Sequence, residues 1–239
     1  MNSADELNNE MALAHDIRGL NSQIKPNIEN VIAVIRKDRG IHSACENAAL
    51  TVFHASELIT KRLGIYEYLK NPTKISLTDK RISAHRSLFK ARKILDFQAK
   101  LDNKEIEINE SYIEFNCSNY FEVALFVVLE NCVKYCRKKD KIKVDINELS
   151  GVDICFSNMG PALDQAEMEQ IYTMGYRGNL AKKHSKSGSG IGMYFVKKIC
   201  DVHGFKIELR QDGKREFTGG IQYAMTYINI TIPPNRKNA

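Results

Sequence analysis

The chain has 239 residues, enough for one large domain or for two smaller domains with buried cores. Hydrophobic residues make up 43% of it and charged residues 27%, values that exclude a collagen-like, low-complexity or largely disordered protein. The net charge of +6 permits an anionic ligand, but no aromatic residues alternate with the basic ones, so we expect no nucleic-acid partner.

Neither membrane insertion nor a metal framework is indicated. The longest apolar run, residues 123–129, is far shorter than the roughly 20 residues that cross a bilayer, and the first residues do not resemble a signal peptide. We therefore expect a cytoplasmic chain without a membrane segment. The six cysteines contain no Cys-x-x-Cys pair, so we interpret them as reduced core or surface residues.

A helical hairpin is predicted at the start of the chain. Residues 5–36 follow a heptad pattern with one polar core position at Asn21, and residues 41–63 form a second helix with a small apolar face. Because a hairpin with one apolar stripe per helix must bury it, we expect a homodimer with a four-helix bundle. The d positions of the first helix are Ile17, Ile24 and Val31.

The heptad stops at residues 64–72, which we interpret as a connector between domains. A loop rich in Gly, Ser and Lys extends to residue 189. Strands and helices that do not alternate strictly favour an α+β sandwich, with a mixed, largely antiparallel sheet covered on one face by helices. The elements predicted beyond the connector are strands at 74–78, 105–109, 112–116, 142–148, 152–157, 205–211 and 221–232, and helices at 79–100, 118–137, 164–172 and 191–203.

A glycine-rich segment leads directly into one of these helices. Gly188, Gly190 and Gly192 let the backbone approach an anion, while free N–H groups and the helix dipole face it. This pattern indicates a phosphate site, although such glycines also serve plain turn geometry. Neither the dinucleotide fingerprint nor the P-loop fits, because no strand immediately precedes the segment and no Gly-Lys-Ser/Thr follows.

A second polar group ends the predicted helix at 118–137. Glu130 and Lys134 are four residues apart and could form a simple surface pair. Alternatively, Glu130 and Asn131 offer oxygen ligands to a magnesium ion, with Lys134 one turn further along for a phosphate.

The order of these segments resembles the GHKL ATPase superfamily. Residues 130–135 resemble its N box, 158–160 its G1 box and 188–192 its G2 box. Residues 172–178 are similar to the phenylalanine box and the start of the ATP lid in the histidine-kinase branch. The resemblance implies a Bergerat-type α/β sandwich that binds ATP and Mg²⁺.

The resemblance also implies roles for individual residues. Asn131 would ligate magnesium, Glu130 would orient its water or act as a base, Lys134 would meet a phosphate, and Asn158 would recognise adenine. A lysine-bearing lid would close over the triphosphate. The full set of implied nucleotide-binding residues is Asn131, Lys134, Tyr135, Asn158, Gly160, Arg177, Lys182, Lys183, Lys186, Gly188, Gly190 and Gly192.

Residues 14–18 resemble the H box of sensor histidine kinases. His15 would accept the phosphoryl group, and the adjacent Asp16 could orient its ring and take its proton. The heptad places His15 beside the apolar seam, so we expect it to be exposed. The implied domains are a dimerisation and phosphotransfer hairpin (5–65) and an ATP-binding domain (72–234). The implied partner is the receiver domain of a response regulator.

Four positions depart from the family pattern. Asn158 stands where the G1 box usually has Asp, and Ala162 replaces its second glycine. Leu20 replaces the usual proline of the H box, and Gly19 replaces the residue that supports dephosphorylation of the partner. Two alternatives stay open: a GHKL ATPase that works as a conformational clamp, and a nucleotide-sensing module without histidine phosphorylation. The chain could also be the cytoplasmic part of a longer membrane-attached sensor.

Overall fold

The computed structural model describes residues 17, 24, 31, 52, 56, 58–59, 61–66, 68–69, 80–148, 151–185 and 188–234. The chain divides into two compact units, Met1–Pro72 and Thr73–Ala239.

The described residues of the first unit are helical. Ile17, Ile24 and Val31, the predicted d positions, all lie in helix and are half-buried. Helix also covers residues 61–66 and 68–69, so residues 64–66, 68 and 69 of the segment predicted as a connector are helical. Ile65 and Tyr68 explain this difference, because they are only 5% and 3% exposed and lie three residues apart, on one helix face. His15, Asp16, Gly19 and Leu20 lie outside the described residues.

The second unit begins with a short strand, β1 (Lys80–Ser83), followed by helix α1 (Ala84–Leu101). The helix predicted from residue 79 is therefore wrong for residues 80–83, which form the strand. Ser83 ends the strand and caps the helix, since its hydroxyl accepts a hydrogen bond from the Arg86 N–H at 3.3 Å. The strand predicted at 74–78 lies outside the described residues.

The remaining elements follow the predicted order. Helix α2 is long, with nine of its 17 residues buried, and the glycine-rich segment leads into helix α5 as expected. The elements are β2 (Glu105–Ile108), β3 (Glu114–Cys117), α2 (Asn119–Tyr135), β4 (Lys141–Glu148), β5 (Val152–Pro161), α3 (Gln165–Gln170), α4 (Asn179–His184), α5 (Gly192–His203), β6 (Lys206–Gln211), β7 (Glu216–Thr218) and β8 (Ile221–Ile232).

Two of these elements were not predicted. Helix α4 lies inside the segment expected to be a loop, and strand β7 extends the sheet by pairing with β8 through Phe217 and Gln222. Both are short, with six and three residues, and contacts from outside the segment hold them in place. The capping box of α3, in which Asp164 and Glu167 bond each other's backbone N–H groups, agrees with the predicted helix there.

The main sheet has six strands in the order β2-β4-β5-β8-β6, with β7 also paired to β8. Strands β2 and β4 run parallel, and all other pairs of this sheet are antiparallel. Strands β1 and β3 form a separate antiparallel pair. The prediction of an α+β fold with a mixed, largely antiparallel sheet is therefore confirmed.

The core lies between one face of the sheet and the helices. Buried residues alternate with half-exposed ones along β8, as expected for a sheet covered on one face. An edge-to-face cluster joins Phe115, Phe121 and Phe205, with ring centroids 5.1–6.3 Å apart. The five described cysteines are free, and burial raises the pKa of the Cys136 thiol to about 12. Among the described helices, none is both long and apolar enough to cross a membrane.

Candidate functional site

The start of α5 lies against the polar end of α2. A Cβ atom placed on Gly192 would lie 3.0 Å from Cγ1 of Val127 and 3.7 Å from Nδ2 of Asn131. A glycine at this position therefore allows the two helices to approach closely. The contact brings the Asn131 amide to the N-terminal end of α5, where free N–H groups and the helix dipole favour an anion.

Two cationic side chains converge on Gly188. A Cβ atom placed there would lie 2.5 Å from Nζ of Lys134 and 3.5 Å from Nε and Cζ of Arg177. Gly188 also has φ +130, a backbone conformation that L-residues rarely adopt. The structure thus places a lysine of α2 and an arginine from before α4 beside the same glycine, as a phosphate site requires.

Gly190 allows two backbone segments to pack closely against each other. Its φ is +72, and a Cβ atom there would lie 2.5 Å from the carbonyl carbon of Gly175 and 2.6 Å from the carbonyl oxygen of Tyr176. Only glycine fits where two backbone segments cross so closely. Gly188 therefore faces cations, whereas Gly190 holds the glycine segment against residues 175–176.

Arg177 hydrogen-bonds to the segment of residues 178–185, called the lid segment because the resemblance implies an ATP lid there. Its Nη2 donates to the carbonyl of Ser185 at 2.6 Å and to that of Ala181 at 3.5 Å, so the guanidinium satisfies carbonyl groups at the end of α4. Its Nε is buried and has no hydrogen-bond partner within the described part of the chain. A buried donor without a partner costs free energy, and a phosphate oxygen beside Gly188 would satisfy it.

A third polar group lies where β5 and β8 pair. Asn158 is only 4% exposed and lies opposite Thr226 in the register. A Cβ atom on Gly160 would lie 2.9 Å from the Thr226 hydroxyl and 3.5 Å from Nδ2 of Asn158. Gln211 donates to that hydroxyl at 2.8 Å and to the carbonyl of Pro161 at 3.0 Å. Thr226 and Gln211 were missed by the sequence analysis because only the strand register brings them here.

The end of α4 contacts α2 and β8 through His184. Its two ring nitrogens lie 3.0 Å from the carbonyl of Lys134 and 3.0 Å from the hydroxyl of Tyr223. The Tyr135 ring lies beside it, with centroids 6.0 Å apart. Burial lowers the pKa of His184 below its ordinary value, although the bond to the Lys134 carbonyl opposes the shift. No role is predicted for His184 from the sequence, because it lies in no recognised motif.

Four other residues were expected to belong to the site. Lys182 and Lys183 are exposed on α4, Glu130 is half-buried on α2, and Lys186 lies outside the described residues. Among the described residues, no three His, Cys, Asp or Glu side chains form a group that could hold a metal ion alone. A Mg²⁺ ion held by Glu130 and Asn131 together with phosphate oxygens fits this donor set, because Mg²⁺ commonly takes only one or two carboxylates from protein.

A family model matches the segment that contains the candidate site. Residues 119–235 match the family model described as "Histidine kinase-, DNA gyrase B-, and HSP90-like ATPase". The matched segment therefore runs from α2 to the end of β8, and it contains every described residue of the candidate site. The matched segment therefore resembles a GHKL-type ATPase domain.

Individual relatives are distant. Sensor protein SrrB of Staphylococcus aureus (strain NCTC 8325 / PS 47) is 23% identical over 86 residues, which cover 36% of this chain and only 15% of SrrB. The catalytic domain of histidine kinase ThkA is 15% identical and has a TM-score of 0.51, covering 66% of this chain and 98% of that one. Acinetobacter baumannii histidine kinase AdeS is 13% identical with a TM-score of 0.50, covering 91% and 98%.

These solved structures share the fold of the chain. Together with the family model and SrrB, they confirm the resemblance to sensor histidine kinases and support a histidine kinase. The GHKL-type ATPase domain in turn implies that ATP is bound.

Proposed function

We propose that the chain is the catalytic core of a sensor histidine kinase that transfers the γ-phosphoryl group of ATP to His15 and then to an aspartate of a response regulator. Residues 5–65 would form the dimerisation and phosphotransfer hairpin, and residues 72–234 the ATP-binding domain. The N-terminal helices would form the homodimer, and the receiver domain of a response regulator would be the partner.

The observation that best supports this proposal is the convergence of Lys134 and Arg177 on Gly188, next to Asn131. Because Gly188 carries no side chain, both cations reach its backbone next to the start of α5. The buried Nε of Arg177 supplies a further donor. Positive charge at this point would stabilise the charge that develops on the transferred phosphoryl group.

The remaining site residues would position the nucleotide. ATP would supply the phosphoryl group, and Mg²⁺ would neutralise its charge. Glu130 and Asn131 would hold the metal through oxygen ligands, while Lys134 would bind phosphate oxygens. Asn158 would hydrogen-bond the base from its buried place beside Gly160.

The acceptor chemistry follows from the H-box resemblance alone, since His15 and Asp16 lie outside the described residues. A neutral imidazole nitrogen is the nucleophile, and the other ring nitrogen carries a proton. The Asp16 carboxylate would hydrogen-bond that N–H and take its proton as the bond to phosphorus forms and the bond between the γ-phosphorus and the bridging oxygen breaks, releasing ADP. Onward transfer to the receiver aspartate would restore the neutral ring.

A second function is favoured by the family match, which also covers gyrase- and HSP90-like ATPases. In that case the chain would hydrolyse ATP and couple the reaction to a conformational change. A module that only senses nucleotide would bind ATP without either reaction.

One incubation separates these functions. The full chain is mixed with γ-labelled ATP and Mg²⁺, and covalent label and free phosphate are measured together. A histidine kinase retains acid-labile, base-stable label on the protein. An ATPase releases phosphate without retaining label, and a sensing module binds ATP with neither outcome; either result would contradict the proposed kinase function.

A further inference from the structure

His184 contacts the C-terminal end of α2, and what we infer from this contact rests on the proposed function. The last carbonyl groups of a helix lack partners within the helix. The Val133 carbonyl accepts a hydrogen bond from Nζ of Lys104 at 2.8 Å, and the Lys134 carbonyl lies 3.0 Å from Nε2 of His184. His184 lies at the end of α4, so the lid segment itself satisfies the end of the N-box helix.

The two contacts of His184 fix the proton on its ring. A carbonyl oxygen can only accept a hydrogen bond, so Nε2 carries the proton and donates to Lys134. In the neutral ring Nδ1 is then an acceptor, and the Tyr223 hydroxyl donates to it at 3.0 Å. Both nitrogens of a neutral imidazole are therefore used, one toward α2 and one toward β8.

The surroundings of the ring favour this neutral form. Burial is the largest cause that lowers the His184 pKa, and the positive charges of Lys104 and Lys138 lower it further, while Asp102 and the Lys134 carbonyl act in the opposite sense. The tyrosine rings flank the imidazole, with centroids 6.0 Å away for Tyr135 and 5.9 Å for Tyr223. Arg137 lies over the Tyr223 ring, so its charge also faces this group.

The same contact links the lid to the phosphate-binding residues. The Lys134 carbonyl binds His184, while its Nζ lies beside Gly188. Arg177 satisfies the last carbonyls of α4 and also reaches Gly188. Displacement of His184 would therefore free α4 from the helix that carries Lys134.

We propose that His184 is a positioning residue that latches the lid helix α4 to the end of α2 and to β8, and that this latch slows the release of bound nucleotide. The contact is made by a side chain that does not itself reach Gly188. It acts by keeping Arg177, Lys134 and the glycine segment together.

Protonation weakens the latch, and the sign follows from the lowered pKa. A released His184 regains its ordinary pKa near 6.5, whereas the latched ring binds protons less readily. The latch is therefore fully stable above about pH 6.5 and weakens as the pH falls below that value toward the lowered pKa.

Three variants test the proposal in the full chain. His184→Ala removes both hydrogen bonds. His184→Gln keeps an amide donor and a carbonyl acceptor but does not titrate. His85→Gln, in α1, is the matched control, because this half-buried histidine stacks on Phe89 and lies outside the candidate site.

Two measurements are made on each variant. Hydrogen exchange of residues 178–185 without nucleotide reports the latch directly, after correction for the intrinsic pH dependence of exchange. The dissociation rate of a fluorescent ATP analogue with Mg²⁺ reports its effect on the site. We expect His184→Ala to raise both rates about tenfold, the effect of losing one to two neutral hydrogen bonds. We expect His184→Gln and His85→Gln to stay within about twofold of the wild type.

The pH profile supplies a readout that a merely structural histidine would not change. Between pH 7.5 and 5.5 both rates should rise in the wild type and stay constant in His184→Gln. Unchanged lid exchange in His184→Ala would overturn the latch, and unchanged or slower nucleotide dissociation in that variant would overturn its effect on nucleotide release. If the wild type binds no nucleotide analogue, the proposed function fails, whereas the exchange measurement still decides whether the latch exists.

Discussion

Alanine at Gly190 should be far more damaging than alanine at a glycine with the same backbone conformation and open surroundings. Gly190 has φ +72, and Gly204, which ends α5, has φ +68. The added Cβ would lie 2.5 Å from the carbonyl carbon of Gly175 at the first position, whereas nothing lies within 4 Å of it at the second. Backbone atoms cannot rotate away as the end of a side chain can, so Gly190→Ala must push the two segments apart.

The structure sets the expected size of each effect. The left-handed conformation alone costs an alanine about 1 kcal/mol, which is the expected loss of unfolding free energy for Gly204→Ala. Overpacking adds about 1–3 kcal/mol, so we expect Gly190→Ala to lose about 2–4 kcal/mol. In a chain of this size, 1 kcal/mol lowers Tm by roughly 2–4 °C.

Thermal unfolding of the full chain, followed by circular dichroism at fixed pH and ionic strength, compares the two variants. Gly190→Ala should lower Tm at least twice as much as Gly204→Ala, and it should also weaken ATP binding because the glycine segment moves. Equal shifts in the two variants would refute the close approach of Gly190 to residues 175–176.

Three further substitutions test separate parts of the site. Asn131→Ala should weaken Mg²⁺-dependent ATP binding at least about tenfold by calorimetry, since it would remove the proposed metal ligand; unchanged affinity would contradict that assignment. Asn158→Asp should improve discrimination of ATP over GTP about fivefold in competition titrations, because a carboxylate only accepts hydrogen bonds; equal discrimination would mean that residue 158 does not face the base. Gly19→Asn should raise phosphatase activity toward the phosphorylated regulator, because in the helix that the H-box resemblance implies an amide four residues after His15 would hold the attacking water; vigorous wild-type activity would contradict this.

The pattern of hydrophobic residues predicted most of the helices and strands. Strand β4 alternates buried and exposed residues, β8 alternates buried and half-buried ones, and the continuous apolar run of α2 marks a helix in which residues 124–129 are all buried. Both strands and the helix were therefore predicted within two residues of their ends. Strand β1 was missed because its four residues carry no pattern of their own. Its pairing with β3, where Ile82 lies opposite Phe115, is the contact that makes it a strand.

Helix α4 shows the same limit within the site. Its six residues include three consecutive basic or imidazole side chains and have no apolar stripe. Arg177 and His184 stabilise the helix through contacts with its own last carbonyls and with α2, and such contacts are not visible in a local pattern. A segment rich in lysine, serine and glycine therefore predicted a loop.

The motifs predict which residues belong to the site, and the structure shows that neighbouring residues of one motif make different contacts. Gly188 and Gly190 are equivalent in sequence terms, yet one faces two cations and the other crosses a backbone segment. Thr226 and Gln211 belong to no recognised motif, and their position beside Asn158 and Gly160 follows from the register of β8. Long-range register of this kind depends on the whole sheet, so the sequence pattern of one strand could not predict it.

Phosphopeptide mapping is the most direct test of the proposed kinase function. The full chain is incubated with γ-labelled ATP and Mg²⁺, digested under neutral or mildly basic conditions, and compared with His15→Ala, whose ATP affinity is measured in parallel. We expect acid-labile label on the peptide that contains His15, no label in the variant, and equal ATP affinity in both. Label on another histidine, or release of phosphate without any covalent label, would contradict phosphoryl transfer to His15.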